Sequence, residues 1–194
     1  MQDKIPTAPD ALAFMRQRRS YPRLQEPAPT GDVLESIFSA ALCAPDHMRL
    51  RPWRFLTIEG DQRDSLGGLF AAHEHAKDSC ASELILQQAH QKALRAPLII
   101  VGIAAYRKHP KVPPIEQALA AGGVLNNMGL AAYCSGFGAV WRTGSYAYSK
   151  IVKAGLRVAS HEDIIGYLYV GTPPTWDRQA SAIEVDDYVH AWPQ

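Results

Sequence analysis

"EQALAAGGVLNNMGLAAYCSG", Glu116 to Gly136, is the stretch on which the fold turns. It has no proline, and Ala, Gly, Leu, Val and Met fill most of it. It predicts one long helix, ended by Gly136. Apolar residues run round most of its circumference, so packing one face on a sheet leaves another that a chain of this size struggles to bury. The Ala and Gly content lets a second helix or backbone approach closely.

Short strands flank this helix: "PLIIVGIAA" (97–105) before it, then "GFGAVW" (136–141) and "IIGYLYVG" (164–171) after it, with the helix "SKIVKAGL" (149–156) between the last two. Further out, "WRFLTIEG" (53–60) predicts a strand ending in a turn, and two polar helices fill residues 61–95. "GDVLESIFSAALC" (31–43), capped by Thr30 and stopped by Pro45, places Val33, Leu34, Ile37, Phe38, Ala41 and Leu42 on one helical face. "ALAFMRQRR" (11–19) predicts a first helix capped by Asp10, ending where Tyr21 precedes Pro22. The alternation lacks a regular βαβ period. An α+β or three-layer sandwich with a short central sheet fits better than a doubly wound fold. Neither G-x-G-x-x-G nor a P-loop is present.

The 194 residues suit a single domain, 1–194, and 47% hydrophobic content allows a sizeable core. A net charge of +1 argues against nucleic acid as a partner. Cys43, Cys80 and Cys134 are far apart and lack C-x-x-C spacing, so neither a disulfide framework nor a metal site is expected. The opening "MQDKIPTAPD" has no signal-peptide pattern, and the richest apolar stretch, Ala118 to Tyr133, is interrupted by Asn126 and Asn127, loaded with Ala and Gly, and shorter than a membrane span. The expectation is a soluble, cytoplasmic protein with no membrane partner.

Four stretches carry candidate chemistry. "RRS", Arg18 to Ser20, sets two guanidinium forks beside a hydroxyl, a combination that surrounds an anion. "APDHMRLRPWRF" puts His47, Arg49 and Arg51 in a loop before a strand opened by Trp53. "GFGAVWRTG" repeats the arginine-beside-hydroxyl pattern in Trp141, Arg142 and Thr143. "YLYVGTPP" takes a buried strand into a glycine turn. No nucleophile with a base at fixed spacing appears, and no carboxylate pair. Anion holders and aromatic surface without a catalytic side chain suit an enzyme whose chemistry belongs to a cofactor.

In this order, the stretches resemble the nitroreductase family of FMN-dependent oxidoreductases, in particular its small bacterial NAD(P)H nitroreductase subgroup. "RRS", "EPAPTGDVLESIFSAALCAPDH" with "RPWRF", "KVPPIEQALAAG", "GFGAVWRTG" and "YLYVGTP" carry the resemblance, across residues 12–174. It implies a three-layer α/β/α sandwich with a mostly antiparallel sheet, and an intertwined homodimer with two FMN sites at its interface. By position, Arg18, Arg19 and Ser20 would hold the phosphate and ribityl side of FMN, and Trp141, Arg142 and Thr143 would complete that side. His47 would reach the flavin from the partner subunit, and "AAYCSG" (131–136) falls at a nicotinamide-nucleotide contact. The implied reaction is ping-pong: NAD(P)H delivers hydride to flavin N5, then a nitroaromatic, quinone or similar acceptor takes it, with no catalytic side chain required.

Some positions depart from the family pattern. Cys43 replaces a frequent arginine, Pro22 stands where larger members carry a lysine near flavin N1, and Arg49 and Arg51 replace asparagine and glutamine. Charge near N1 sets the flavin potential, and Arg49 or Arg51 would supply it from another direction. A flavin carrier or redox sensor without turnover, or a flavin-fragmenting or dehalogenating relative, remains compatible with the same sequence.

Overall fold

The computed structural model describes residues 9–179 and 183–192. Helix α1 (Pro9–Gln17) starts one residue ahead of the expected cap; the Asp10 side chain and the opening residues 1–8 lie outside the described part. Then follow α2 (Gly31–Ala41), β1 (Trp53–Glu59), α3 (Gln62–Lys77), α4 (Glu83–Gln91), β2 (Leu98–Ala105), α5 (Pro114–Cys134), β3 (Gly138–Arg142), α6 (Ser145–Tyr148), α7 (Lys150–Gly155) and β4 (Glu162–Gly171).

The four strands form one sheet in the order β1-β2-β4-β3, with every neighbouring pair antiparallel. The continuous apolar run of β2 is explained by burial on both faces. Ile99, Val101 and Ile103 join Tyr167 and Tyr169 of β4 in a core with Leu66 and Phe70 of α3. Leu98 and Ile100 join Leu168 and Val170 in a second core with Ile37 of α2 and Val124, Leu125 and Met128 of α5. The result is an α/β/α sandwich, helices α3, α4, α6 and α7 on one face and α2 and α5 on the other.

The stripe expected on α2 is only half buried. Ile37 and Ala41 enter the core, whereas Val33 and Leu42 are exposed at its borders. On α5, Ile115 and Leu119 face outward at 64% and 68% exposure although the helix middle is buried. Gly136 ends α5 at φ +84°, as its lack of Cβ permits. Helix α6 is a single turn, too short for a periodic pattern to announce it. Among the described residues no helix is long and apolar enough to cross a membrane.

Candidate active site

The site is assembled by the segment that follows α1. Pro22 and Pro27 keep it from continuing as helix, and it runs extended along the edge of the sheet. Ser20 forms a parallel bridge with Ala139 of β3, and Tyr21 donates its N–H to the Ala139 carbonyl at 3.1 Å. Farther on, Gln25 bridges Thr172 at the exit of β4. Arg142 Nη2 donates to the Pro22 carbonyl at 3.1 Å, and Arg178 Nη1 donates to the Ser20 carbonyl. "RRS" and "WRT" are thus neighbours in space although about 120 residues apart.

Arg18, Arg19 and Ser20 line a cleft of about 180 Å³ together with Asn126 and Tyr133 of α5 and Trp141 of β3. Arg19 Nη1 donates to the carbonyls of Arg16 and Arg18, both at 2.6 Å, which fixes its fork at the end of α1. Its Nε is buried and has no acceptor among the described residues. An unpaired buried guanidinium N–H is costly, and an anionic oxygen in the cleft would relieve it. The Trp141 indole is anchored by Nε1 donating to the Ile165 carbonyl at 3.2 Å. Gly166 makes room for it: a Cβ there would stand 2.0 Å from Trp141 Nε1.

The pleat of β3 separates the next residues. Trp141 points to the α5 side, where a Cβ on Gly122 would meet its ring at 3.5 Å. Arg142 points to the opposite face, its guanidinium carbon 5.6 Å from the Tyr169 ring centroid. There Arg142 and Thr143 line a larger cleft of about 490 Å³ with Lys92, Arg95, Tyr146 and Tyr169. Arg142 Nε is also buried without an acceptor among the described residues. Burial pushes the Tyr169 phenol up to about 12, against the pull of Arg142 and Arg95. Burial, and a 2.7 Å hydrogen bond to Glu74 Oε1, likewise raise the Tyr146 phenol. Lys92 Nζ donates to the same hydroxyl at 2.8 Å.

His47 lies elsewhere. Its Nδ1 is 2.7 Å from Glu116 Oε2, both side chains being about half exposed, in a cleft with Leu119 and Ala120 near the start of α5. Thirteen residues separate Glu116 from Gly129 beside Arg19, roughly 20 Å of helix. Within one chain the structure does not bring His47 to the arginines. The turn carrying it is unusual: Met48, Arg49 and Arg51 have φ of 60°, 52° and 47°, a left-handed geometry that costs non-glycine residues energy. Arg49 and Arg51 line a further cleft with Cys43 and Trp53.

Several lining residues escape sequence reasoning. Asn126 registers there only as a polar interruption of an apolar stretch; it is exposed on α5 and lines the cleft. Lys92 and Arg95 have no local motif, because they reach the larger cleft only through long-range folding; Tyr133 and Tyr169 fall inside "AAYCSG" and "YLYVGTPP", but nothing local says that they line a cleft. Among the described residues, no group of three or more His, Cys, Asp or Glu is placed to hold a metal ion.

Comparison with known proteins agrees with this architecture. Residues 15–172 match the nitroreductase family. A curated Escherichia coli K12 protein named "Putative NAD(P)H nitroreductase YdjA" is 37% identical over 178 residues, 92% of this chain and 95% of that protein. A nitroreductase-like family protein from Bacillus cereus superposes with a TM-score of 0.78 at 22% identity, covering 98% of this chain and 100% of the other. The structure of a "putative nitroreductase in complex with FMN" from Desulfovibrio desulfuricans gives 0.73 at 23% identity, covering 97% and 99%. On the family match and the identity to the E. coli protein, this chain belongs to the nitroreductase family.

Proposed function

We propose that this chain is a single FMN-binding domain, residues 1–194, of an FMN-dependent oxidoreductase that uses NAD(P)H to reduce a nitroaromatic, a quinone or a similar acceptor. One observation carries it: the buried, acceptor-less Nε of Arg19 beside Ser20 and Trp141, in a chain of this family. The residues present fit the cofactor. Arg18, Arg19 and Ser20 supply donors to a phosphate and ribityl chain; Trp141, a wall of both clefts, supplies an apolar surface, and Arg142 and Thr143 carry the lining on into the larger cleft. FMN held there would supply the two-electron chemistry of a ping-pong hydride transfer between NAD(P)H and the acceptor.

The chain's own work is binding, orientation and exclusion of water. The Arg19 fork is held by two backbone carbonyls, and the Trp141 indole by the Ile165 carbonyl, so neither must be ordered when a ligand enters. The working unit is a homodimer. Exposed Leu119 and Ile115 on α5, Val33 on α2 and Met15 on α1 offer apolar surface to a second copy, and that copy brings its His47 to the flavin.

The test is direct. Purified protein should be yellow, release FMN on heating, and oxidise NADH or NADPH faster when a nitroaromatic is added. A colourless protein that ignores added FMN refutes the reading; a yellow one that leaves NAD(P)H untouched is a flavin carrier or sensor.

A further inference from the structure

The loop between β2 and α5, residues 106–113, gathers positive charge that nothing neutralises. Arg107, Lys108 and Lys111 are exposed, and among the described residues none has a carboxylate within ion-pair distance. The chain carries a net charge of only +1, so the excess is local. Cations on a loose loop are ordinary solvated surface, but this loop is gripped from inside. Gln117 of α5 is 2% exposed. Its Oε1 accepts from the Arg107 N–H at 2.8 Å, and its Nε2 donates to the carbonyls of Arg107 at 2.9 Å and Val112 at 3.1 Å. A buried amide is thus spent wholly on loop backbone, which fixes where the cations start before any ligand arrives. The Lys111 N–H donates to His109 Nδ1 at 3.2 Å, which leaves the ring proton on Nε2 as a further donor. The loop also has a definite neighbourhood. Ala105 donates its N–H to the Pro52 carbonyl at 2.9 Å, so the loop leaves the sheet beside Arg51, itself held at φ 47°. At the other end, Gln117 follows Glu116, the partner of His47.

We infer that Arg107, Lys108 and Lys111 recognise a phosphomonoester dianion, the 2′-phosphate that distinguishes NADPH from NADH, and so set this chain's choice of electron donor. This rests on the reading above, in which a second copy brings its His47, and with it this loop, to the flavin. The nicotinamide of a donor must reach the flavin ring, while the adenosine end extends well away from it. That end meets the rim of the site, where the loop stands. An arginine fork and two lysine point charges suit phosphate oxygens, whereas NADH offers only a hydroxyl at the same position. Exposure leaves each contact open to screening, so the selectivity is shared among the three and falls with salt.

The probe is adenosine 2′,5′-bisphosphate, titrated calorimetrically into the purified protein, with adenosine 5′-monophosphate as the control. The parent should bind the bisphosphate about tenfold or more tightly than the monophosphate, by a margin that shrinks as salt rises. Arg107→Ser and Lys108→Ser should each reduce that margin, the double variant should abolish it, and Lys108→Arg should keep it. Flavin content and far-ultraviolet circular dichroism should match the parent throughout. In steady-state kinetics the double variant should raise the KM for NADPH about tenfold at unchanged kcat and leave the KM for NADH as it was. A yellow enzyme that oxidises NADH and NADPH alike, serine variants that lose both donors equally, or a parent that binds the two adenosine nucleotides equally would each overturn the inference and leave the FMN reading standing. A colourless protein that ignores added FMN and NAD(P)H overturns the FMN reading and the donor assignment with it.

Discussion

Ser20 and Ala139 lie side by side in a parallel bridge, and this pairing places the arginines of one stretch against the tryptophan of another. Among the described residues it is the one parallel contact on an otherwise antiparallel sheet, and it turns the edge of β3 into a wall of the cleft. The consequences for binding can be measured.

Arg18→Ala and Arg19→Ala should weaken FMN binding by about 1.5–3 kcal/mol, roughly ten- to a hundred-fold. Riboflavin, which lacks the phosphate, should bind variants and parent almost alike. Fluorescence titration of apoprotein with both flavins checks this, and equal losses for the two would mean that the arginines serve the turn and not the phosphate.

Gly166→Ala should dislodge Trp141. The new Cβ would meet Nε1 at 2.0 Å and the Arg142 carbonyl at 2.9 Å, at a backbone φ of +152° that side chains rarely adopt. A stability loss of about 1–3 kcal/mol is expected, with a shift in tryptophan emission and weaker FMN binding. Unchanged emission with unchanged affinity would show that the indole is not anchored as described.

Arg54 and Glu162 predict an acid-sensitive step. Arg54 Nε and Nη2 donate to the two carboxylate oxygens at 2.7 and 2.6 Å, and the Ala159 N–H adds a third bond at 2.9 Å. The Arg54 fork, helped by that N–H and opposed by burial, holds the Glu162 carboxyl down at about 2 against an ordinary 4.5. A lowered folded-state value means stability that is present above about pH 4.5 and is lost as pH falls toward 2. Arg54 is about a third exposed, so water screens the pair. Glu162→Gln should lower stability by about 1–2 kcal/mol near neutrality and flatten its fall between roughly pH 5 and pH 2. Urea midpoints across that range test it; parallel curves for variant and parent would remove Glu162 as the cause.

The proposed two-chain site can be probed by subunit exchange. Arg18→Ala and His47→Ala homodimers should both be impaired. Mixed, they should regain part of the activity, because one of the two sites in a hybrid then carries neither change. Proven exchange without recovery, or a competent monomer in sedimentation, would reject a site built from two chains.

The strands and the long helix were legible because each has a pattern within a dozen or so residues: the unbroken apolar run of β2, the small residues of α5, the glycine after it. The arginine clusters were legible as chemistry and not as geometry. Nothing local to "WRT" says that Trp141 and Arg142 point to opposite faces; that follows once β3 is a strand with its pleat. Likewise the α2 stripe looked uniform in sequence, yet its two border positions, Val33 and Leu42, reach past the area that the sheet covers.

The bridge between Ser20 and Ala139 also has a kinetic consequence. The contacts that build the site span 119 residues there, 120 for Arg142 to Pro22, and 158 for Arg178 to Ser20. The α3–α4 hairpin and the β3–β4 pair need far shorter loops. Closing a long loop costs entropy before its contacts reward it, so local pairs form early and the cleft forms late. In stopped-flow refolding, helical signal should therefore precede recovery of the Trp141 environment, and added FMN should slow unfolding more than it speeds folding, because it grips contacts that are absent from the transition state.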